Sequence, residues 1–485
     1  MASTATPVWD GKIFSDGWTA GGDGTIDVIA PGSGRSLGTV GSASVADLDA
    51  AVTSAAAAQK AWAAAPYAAR AAVMLKAAQL LEADTARLTD VIVAESGSGG
   101  GKAAFEAGLV ISELQEAAAV AAHPYGELLR SVKDRTSIAR RVPLGIVGVI
   151  SPFNFPAILS MRSVAPALAL GNAVILKPDP RTSIAGGMAL AALFEEAGLP
   201  AGVLHVLPGG AELGAALVTH PQIPCISFTG STAAGRKIAE SAAPLLKRVH
   251  LELGGNNAML VLEDADPAAA ATVGAWGSFL HQGQICMTTG RHLVPRSLAE
   301  AYVAALAEKA SHIPVGDPEQ GAPLGPLIDE RQRDRVHGIV EAARESGARI
   351  AAGGEYDGLF YRPTVITDLS PESSAWADEI FGPVAPVIVY DDLDEAIEMI
   401  NASEYGLSVS IITANPYRGY ELAGRIESGA IHINDATVDD EAVIPFGGVK
   451  ASGVGGRFGG PAASLDTFTE TQWITMQSEP EPYPF

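Results

Sequence analysis

The sequence predicts an α/β protein with two sheet-forming halves and a smaller β element. Three observations point there. The chain has 485 residues, more than one ordinary hydrophobic core accommodates. From residue 145 onward, short apolar runs alternate with Ala-rich helical runs, the pattern of βαβ units in a parallel, doubly wound sheet. A second series of the same kind follows the Gly254-Gly255 pair.

The elements follow in chain order. Residues 44–64 and 67–95 carry Ala- and Leu-rich patterns that suit helices. Residues 125–142 are more polar, turn β-like in SVKDRTSIARRV, and end at Pro143-Leu144-Gly145. GIVGVISP, NAVILKP, GVLHVLPG and CISFTG read as buried strands, each followed by a helix candidate. NAMLVL, HLVPRS and PVAPVIVY form the second series, with helices over 298–311 and 328–346. The apolar stretch 157–176 is interrupted by Arg162, Pro166 and Asn172, which argues against a membrane span.

Composition narrows the function classes. Apolar residues make up 48% and charged residues 18%, which is globular rather than disordered. A formal charge of −23 repels phosphate backbones and anionic membranes, so neither nucleic acid nor a membrane surface is an expected partner. The two cysteines, Cys225 and Cys286, lack metal-ligand spacing and cannot staple a chain this long. With no secretory pattern in MASTATPVWDGKIF, a reducing, cytoplasmic location is expected, and no metal site.

Several motifs carry chemistry, each with a plainer reading beside it. SGSGGGK at 96–102 resembles a phosphate loop, but Ser96 fills its first glycine position and Ala103 follows the lysine, so a flexible surface loop is expected. Phe228-Thr-Gly-Ser-Thr-Ala-Ala-Gly235 places Gly230 and Ser231 between a strand and a helix, where free N–H groups suit a pyrophosphate; a well-capped turn reads the same way. Lys177 ends a strand where ligands of open sheets gather, or is simply solvated. Cys225 fits an inert buried thiol, whereas Cys286 is flanked by Gly283, Gln284, Thr288 and Thr289. Glu252, between two leucines, is a candidate general base or a strand-edge acid. Asn154, in Pro152-Phe-Asn-Phe-Pro156, is a candidate oxyanion donor or a turn former.

In this order the segments resemble the aldehyde dehydrogenase superfamily across nearly the whole chain. The resemblance rests on Leu251-Glu-Leu-Gly-Gly255, Gly283-Gln-Ile-Cys286, Pro152-Phe-Asn-Phe-Pro156, Ile175-Leu-Lys-Pro178, Phe228-Thr-Gly-Ser-Thr232, Glu379-Ile-Phe-Gly-Pro383 and Pro445-Phe-Gly-Gly-Val-Lys-Ala-Ser-Gly453. It implies a Rossmann-type cofactor domain (1–122 and 144–255), an α/β catalytic domain (256–468), and a small β oligomerisation element (123–143 and 469–485). It also implies Cys286 as nucleophile, Glu252 as base and Asn154 as oxyanion donor. Ser151, Pro152, Lys177, Phe228, Gly230, Ser231, Glu379 and Phe381 would hold the nicotinamide cofactor.

The cofactor expected is NAD, with NADP compatible. Many NAD-preferring relatives carry an acid where Pro180 stands, and Arg181 follows it, although Asp179 is placed to serve instead. Lys177-Pro-Asp-Pro-Arg-Thr182, Leu159-Ser-Met-Arg-Ser163 and Cys286-Met-Thr-Thr-Gly-Arg291 resemble the benzaldehyde and vanillin dehydrogenase branch. That implies an aromatic aldehyde as substrate, with Phe155, Leu159, Ile285, Met287, Ile444 and Phe446 around the thiol. An aliphatic aldehyde or a semialdehyde, with Arg162 near the pocket mouth, is the rival substrate class. A cysteine hydrolase is the rival reaction, and it needs a histidine on the thiol, for which His281 is the nearest candidate. Exposed edges of the small β element imply a homodimer or homotetramer.

Overall fold

The computed structural model describes residues 7–124, 126–370 and 372–485. Residues 1–6 of the leader reading and Tyr125 of the β-like stretch lie outside the described residues. Both predicted sheets are present. The first has eight strands, and its five central members, in spatial order Leu204–Val206, Ala173–Lys177, Ile146–Ile150, Cys225–Thr229 and Arg248–Glu252, run parallel. The second has seven strands, with Thr364–Thr367, Val384–Tyr390, Thr289–Pro295, Asn257–Val261, Ser408–Ile412 and Ala430–Ile433 parallel. Ala173–Lys177, Cys225–Thr229 and Asn257–Val261 are buried along their whole length, on both faces, which is why they read as continuous runs of mainly apolar residues.

The helices match the pattern with two adjustments. Val45–Ala64 is opened by a capping box between Ser44 and Asp47. The 67–95 run is two helices, Tyr67–Ala83 and Ala86–Ser96, because Asp84 takes a non-helical conformation between them. The membrane-like stretch is the helix Pro156–Ala169, buried on every side and followed by the strand Ala173–Lys177. Among the described residues no helix is long and apolar enough to cross a membrane.

SGSGGGK is not a surface loop. Ser96 ends one helix, Gly97 caps it in a left-handed conformation, and Gly100–Ala122 begins the next. Ser96, Ser98 and Lys102 are buried, their polar atoms met by Ile92, by each other and by Glu106. Sequence polarity misleads here because all the polar groups are satisfied internally.

The third sheet pairs Thr469–Met476 with Thr136–Pro143 and the latter with Gly126–Leu129, all antiparallel. The C-terminal region also returns to the first sheet, where Gly453–Val454 pairs with the strand Arg248–Glu252. That pairing sets the segment around Gly447 beside Glu252.

Candidate active site

The strand Ile146–Ile150 marks the switch point of the first sheet. Successive strands leave it on one side through Ala173–Lys177 and on the other through Cys225–Thr229. Crevices at such points, outside the carboxyl ends of the strands, are where open α/β sheets take ligands. A cleft of about 720 Å³ lies there. Ser151, Pro152, Asn154, Lys177, Phe228, Gly230 and Ser231 all line it from these strand ends, and Glu379 and Phe381 line it from the loop before Val384–Tyr390.

The cleft fits a dinucleotide. Ser231 caps the helix Thr232–Ala242 by accepting the Ala234 N–H at 3.3 Å, and Thr232 and Ala233 of the same turn line the cleft. The positive end of that helix therefore faces the cleft, an arrangement that suits an anion. Lys177 makes one long contact, 3.4 Å to the Pro178 carbonyl, so its ammonium keeps donors for a ligand. Burial pulls its pKa down while Asp179 opposes the shift.

Glu379 accepts the Gly255 N–H at 3.1 Å. A Cβ on Gly254 would stand 2.3 Å from its Oε2, so only glycine lets the carboxylate sit there. Burial raises its pKa to about 7. Sequence reasoning missed what holds this loop: Arg335 donates to the carbonyls of Glu379 and Ile380 at 2.6 and 2.8 Å, and Gln332 to that of Phe381 at 2.8 Å. Both side chains come from the helix Glu330–Glu345, and nothing in its local pattern marks them. Phe153 was also missed; its ring meets Phe381 edge-on at 5.9 Å.

Arg181 is engaged. It makes three hydrogen bonds to the Asp179 carboxylate, including its own backbone N–H, and one of 2.6 Å to Asp329. Its guanidinium also lies 4.2 Å over the Phe153 ring.

Cys286 is half-buried at the inner end of the cleft. A tight turn delivers it: His281 and Gln282 are left-handed, and a Cβ on Gly283 would meet the Gly382 carbonyl at 2.0 Å. Asn257 pins the Cys286 carbonyl at 2.8 Å. Neither the Cys286 N–H nor the Asn154 side-chain amide has a hydrogen-bond partner among the described residues. Burial pushes the Cys286 thiol up to about 12, with Glu379 and Glu252 adding to the shift and Arg162 opposing it.

Glu252 is buried but does not line the cleft in this conformation. Its Oε2 accepts the Gly448 N–H at 3.4 Å, while Oε1 has no partner and lies 3.7 Å from the equally unpartnered Nε2 of His250. Burial raises its pKa, and His250 and Arg457 oppose that.

A second, narrow pocket opens on the other side of the thiol. Phe155, Leu159, Ile285, Met287 and Phe446 line it with Cys286 and Asn154. Ile444 does not: a turn closed by its N–H on the Glu441 carbonyl carries it to the surface, where it is 45% exposed. Phe105 and Leu109, one turn apart on the helix Gly100–Ala122, take part instead, with Val438 and Asp440. Arg162 is at the pocket's end, buried and bonded to Asp440, with its guanidinium 4.9 Å from the Phe446 ring. His281 lies outside both lining sets; its Nδ1 faces the Ser98 hydroxyl at 3.4 Å and its ring packs on Phe155.

The profile of the aldehyde dehydrogenase family matches residues 18–474. A vanillin dehydrogenase of Amycolatopsis sp. is 57% identical over 98% of both chains. A benzaldehyde dehydrogenase [NAD(+)] of Pseudomonas putida is 50% identical over 99% of both. The crystal structure of a salicylaldehyde dehydrogenase from Pseudomonas putida G7, complexed with salicylaldehyde, superposes with a TM-score of 0.94 at 35% identity, covering 98% of this chain and 99% of that one. With the thiol, the amide and the cofactor cleft assembled around one point, the chain belongs to the aldehyde dehydrogenase family.

Proposed function

We propose that this protein oxidises aromatic aldehydes to carboxylic acids with a nicotinamide cofactor, NAD in preference to NADP. One observation carries the reading: Cys286 lies on the wall of both the dinucleotide-sized cleft and the narrow apolar pocket. The names of the similar enzymes, which act on vanillin and benzaldehyde, support the substrate class.

The chemistry follows from the residues. Once the Cys286 thiol has passed its proton to water in the cleft, the thiolate attacks the aldehyde carbon, forming a C–S bond and moving the carbonyl π electrons onto oxygen. The Asn154 amide and the Cys286 N–H, both without partners among the described residues, donate to that oxyanion. The bound nicotinamide supplies the acceptor for the hydride that leaves this carbon. Glu252 then takes a proton from water, whose oxygen attacks the resulting thioester; the C–S bond breaks and releases the acid and the Cys286 thiolate. Its unpartnered Oε1 has room for that proton, after the side chain turns from Gly448 toward the thiol.

The same residues favour particular ligands. Glu379 and Lys177 would hold the two riboses and Ser231 the pyrophosphate, a reading supported by all three lining the cleft. Arg181 is already held by Asp179 and Asp329, so its cation is engaged before any 2′-phosphate arrives, whereas the Asp179 carboxylate suits free ribose hydroxyls. Arg162 is likewise spent on Asp440, which disfavours a substrate carboxylate and hence a semialdehyde. His281, bonded toward Ser98, disfavours a cysteine hydrolase.

The reading extends to organisation: residues 1–122 and 144–255 hold the cofactor, 256–468 carry the thiol, and 123–143 with 469–485 join subunits into a dimer or tetramer. The test is an aldehyde panel run with each cofactor. Benzaldehyde and vanillin should drive NAD reduction; turnover confined to short aliphatic aldehydes would sink the aromatic assignment.

A further inference from the structure

The buried ion pair that replaced the expected surface loop has no part in the chemistry above. Lys102 and Glu106 sit one turn apart on the helix Gly100–Ala122, with Nζ and Oε2 separated by 2.5 Å and both side chains all but inaccessible. What the pair touches is the segment carrying Asn154. Lys102 Nζ donates to the Asn154 carbonyl at 2.8 Å and lies 4.0 Å over the ring of Phe155. Glu106 Oε1 accepts the N–H groups of Ala157 and Ile158 at 2.8 and 3.2 Å.

These contacts fill a gap in the helix Pro156–Ala169. Its N-cap residue is Phe155, which has no side-chain oxygen to offer the first turn, and its first residue is a proline. The Glu106 carboxylate stands in as a cap from another helix, where the dipole favours negative charge. Lys102 neutralises it and holds the carbonyl just ahead of the cap. Residues 154–158 are thus held at both ends by one pair of charges.

We propose that Lys102 and Glu106 are positioning residues for the Asn154 amide. That amide has no hydrogen bond of its own among the described residues, so its aim depends on the backbone that carries it. An ion pair taken out of water contributes little net stability compared with apolar residues of the same volume. What it supplies here is placement: four hydrogen bonds, counting its own, that converge on one short loop. Misplacing a catalytic group by about 1 Å can cost on the order of 100-fold in rate.

This inference rests on the oxyanion role proposed for Asn154, and a double-mutant cycle separates the two. Lys102→Met and Glu106→Gln are measured alone and combined with Asn154→Ala, following kcat, KM, cofactor affinity and thermal melting. Asn154→Ala alone should lower kcat by about 100-fold or more, the usual cost of an oxyanion donor. Lys102→Met should lower kcat by about 10- to 100-fold with cofactor affinity unchanged, yet cost Asn154→Ala less than about 2-fold more. A purely structural pair would give full, additive losses in both backgrounds, and that result overturns the inference, as does an unaltered kcat. If Asn154→Ala itself is harmless, the oxyanion reading fails first. Should Lys102→Met not fold, Glu106→Gln carries the same cycle, since the amide keeps its volume and one acceptor oxygen.

Discussion

At the scale of single residues, acidity does not choose between the two thiols: burial pushes Cys225 as well as Cys286 up to about 12. Place does. Cys225 is enclosed within the strand Cys225–Thr229, while Cys286 faces the cleft. Cys286→Ala should abolish cofactor reduction, and Cys225→Ser should keep most of it while losing about 1–3 kcal/mol of stability for a buried hydroxyl; absorbance assays and thermal melts check both. Glu252→Gln should slow thioester hydrolysis more than hydride transfer, giving a burst of reduced cofactor in stopped-flow traces; equal slowing of both steps counts against the base role. Glu379 makes a prediction about pH. Its folded pKa, about 7, lies above the 4.5 of an unperturbed carboxyl, so its protonated form suits the free protein. Its contribution to folding stability is full below pH 4.5 and is lost as pH rises through about 7. Only the ionised form accepts from ribose hydroxyls without competition, so cofactor affinity measured by calorimetry should rise through pH 7. Glu379→Gln should remove that rise.

At the scale of elements, the site is made by strand ends and by glycines that let side chains close. Gly254 has an ordinary backbone conformation, so its requirement is space: the Glu379 carboxylate occupies where a Cβ would stand. Gly254→Ala should displace Glu379 and raise the KM for cofactor by about 10-fold, a little over 1 kcal/mol of binding, with little change in melting. Steady-state kinetics against cofactor reads this directly. The strand–turn–helix around Gly230 and Ser231 was legible beforehand because capping is a local event, written within a few residues. Lys102, Glu106, Phe105 and Leu109 were not legible. Their meaning comes from the face that the helix Gly100–Ala122 turns toward Pro156–Ala169 and the thiol, and no local pattern states that. Ile444 is apolar and two residues from Phe446, but the chain turns between them, so Phe446 lines the pocket while Ile444 faces outward.

At the scale of the whole molecule, the three-stranded sheet leaves two edges, Gly126–Leu129 and Thr469–Met476, with Leu128 77% and Trp473 63% exposed. Open apolar edges of this kind are normally covered. Sedimentation should show a dimer or larger assembly, and Leu128→Glu with Trp473→Glu should shift it toward monomer; an unchanged sedimentation coefficient would place the interface elsewhere.

The sequence by itself determined the two parallel sheets, through alternating buried runs, and the order of strand-end motifs that meet at a switch point. It also separated the thiol that lines the cleft from the one buried in a strand, by the polar, glycine-rich neighbours of Cys286. Only the tertiary structure decided which carboxylates hold Arg181 and Arg162, where Glu252 rests, and that Ser96, Ser98 and Lys102 of the glycine-rich stretch are buried, with Lys102 behind the Asn154 loop. The division has one physical cause. Periodicity, capping and turn chemistry act between residues near in the chain, whereas charge pairing and packing act between residues near in space.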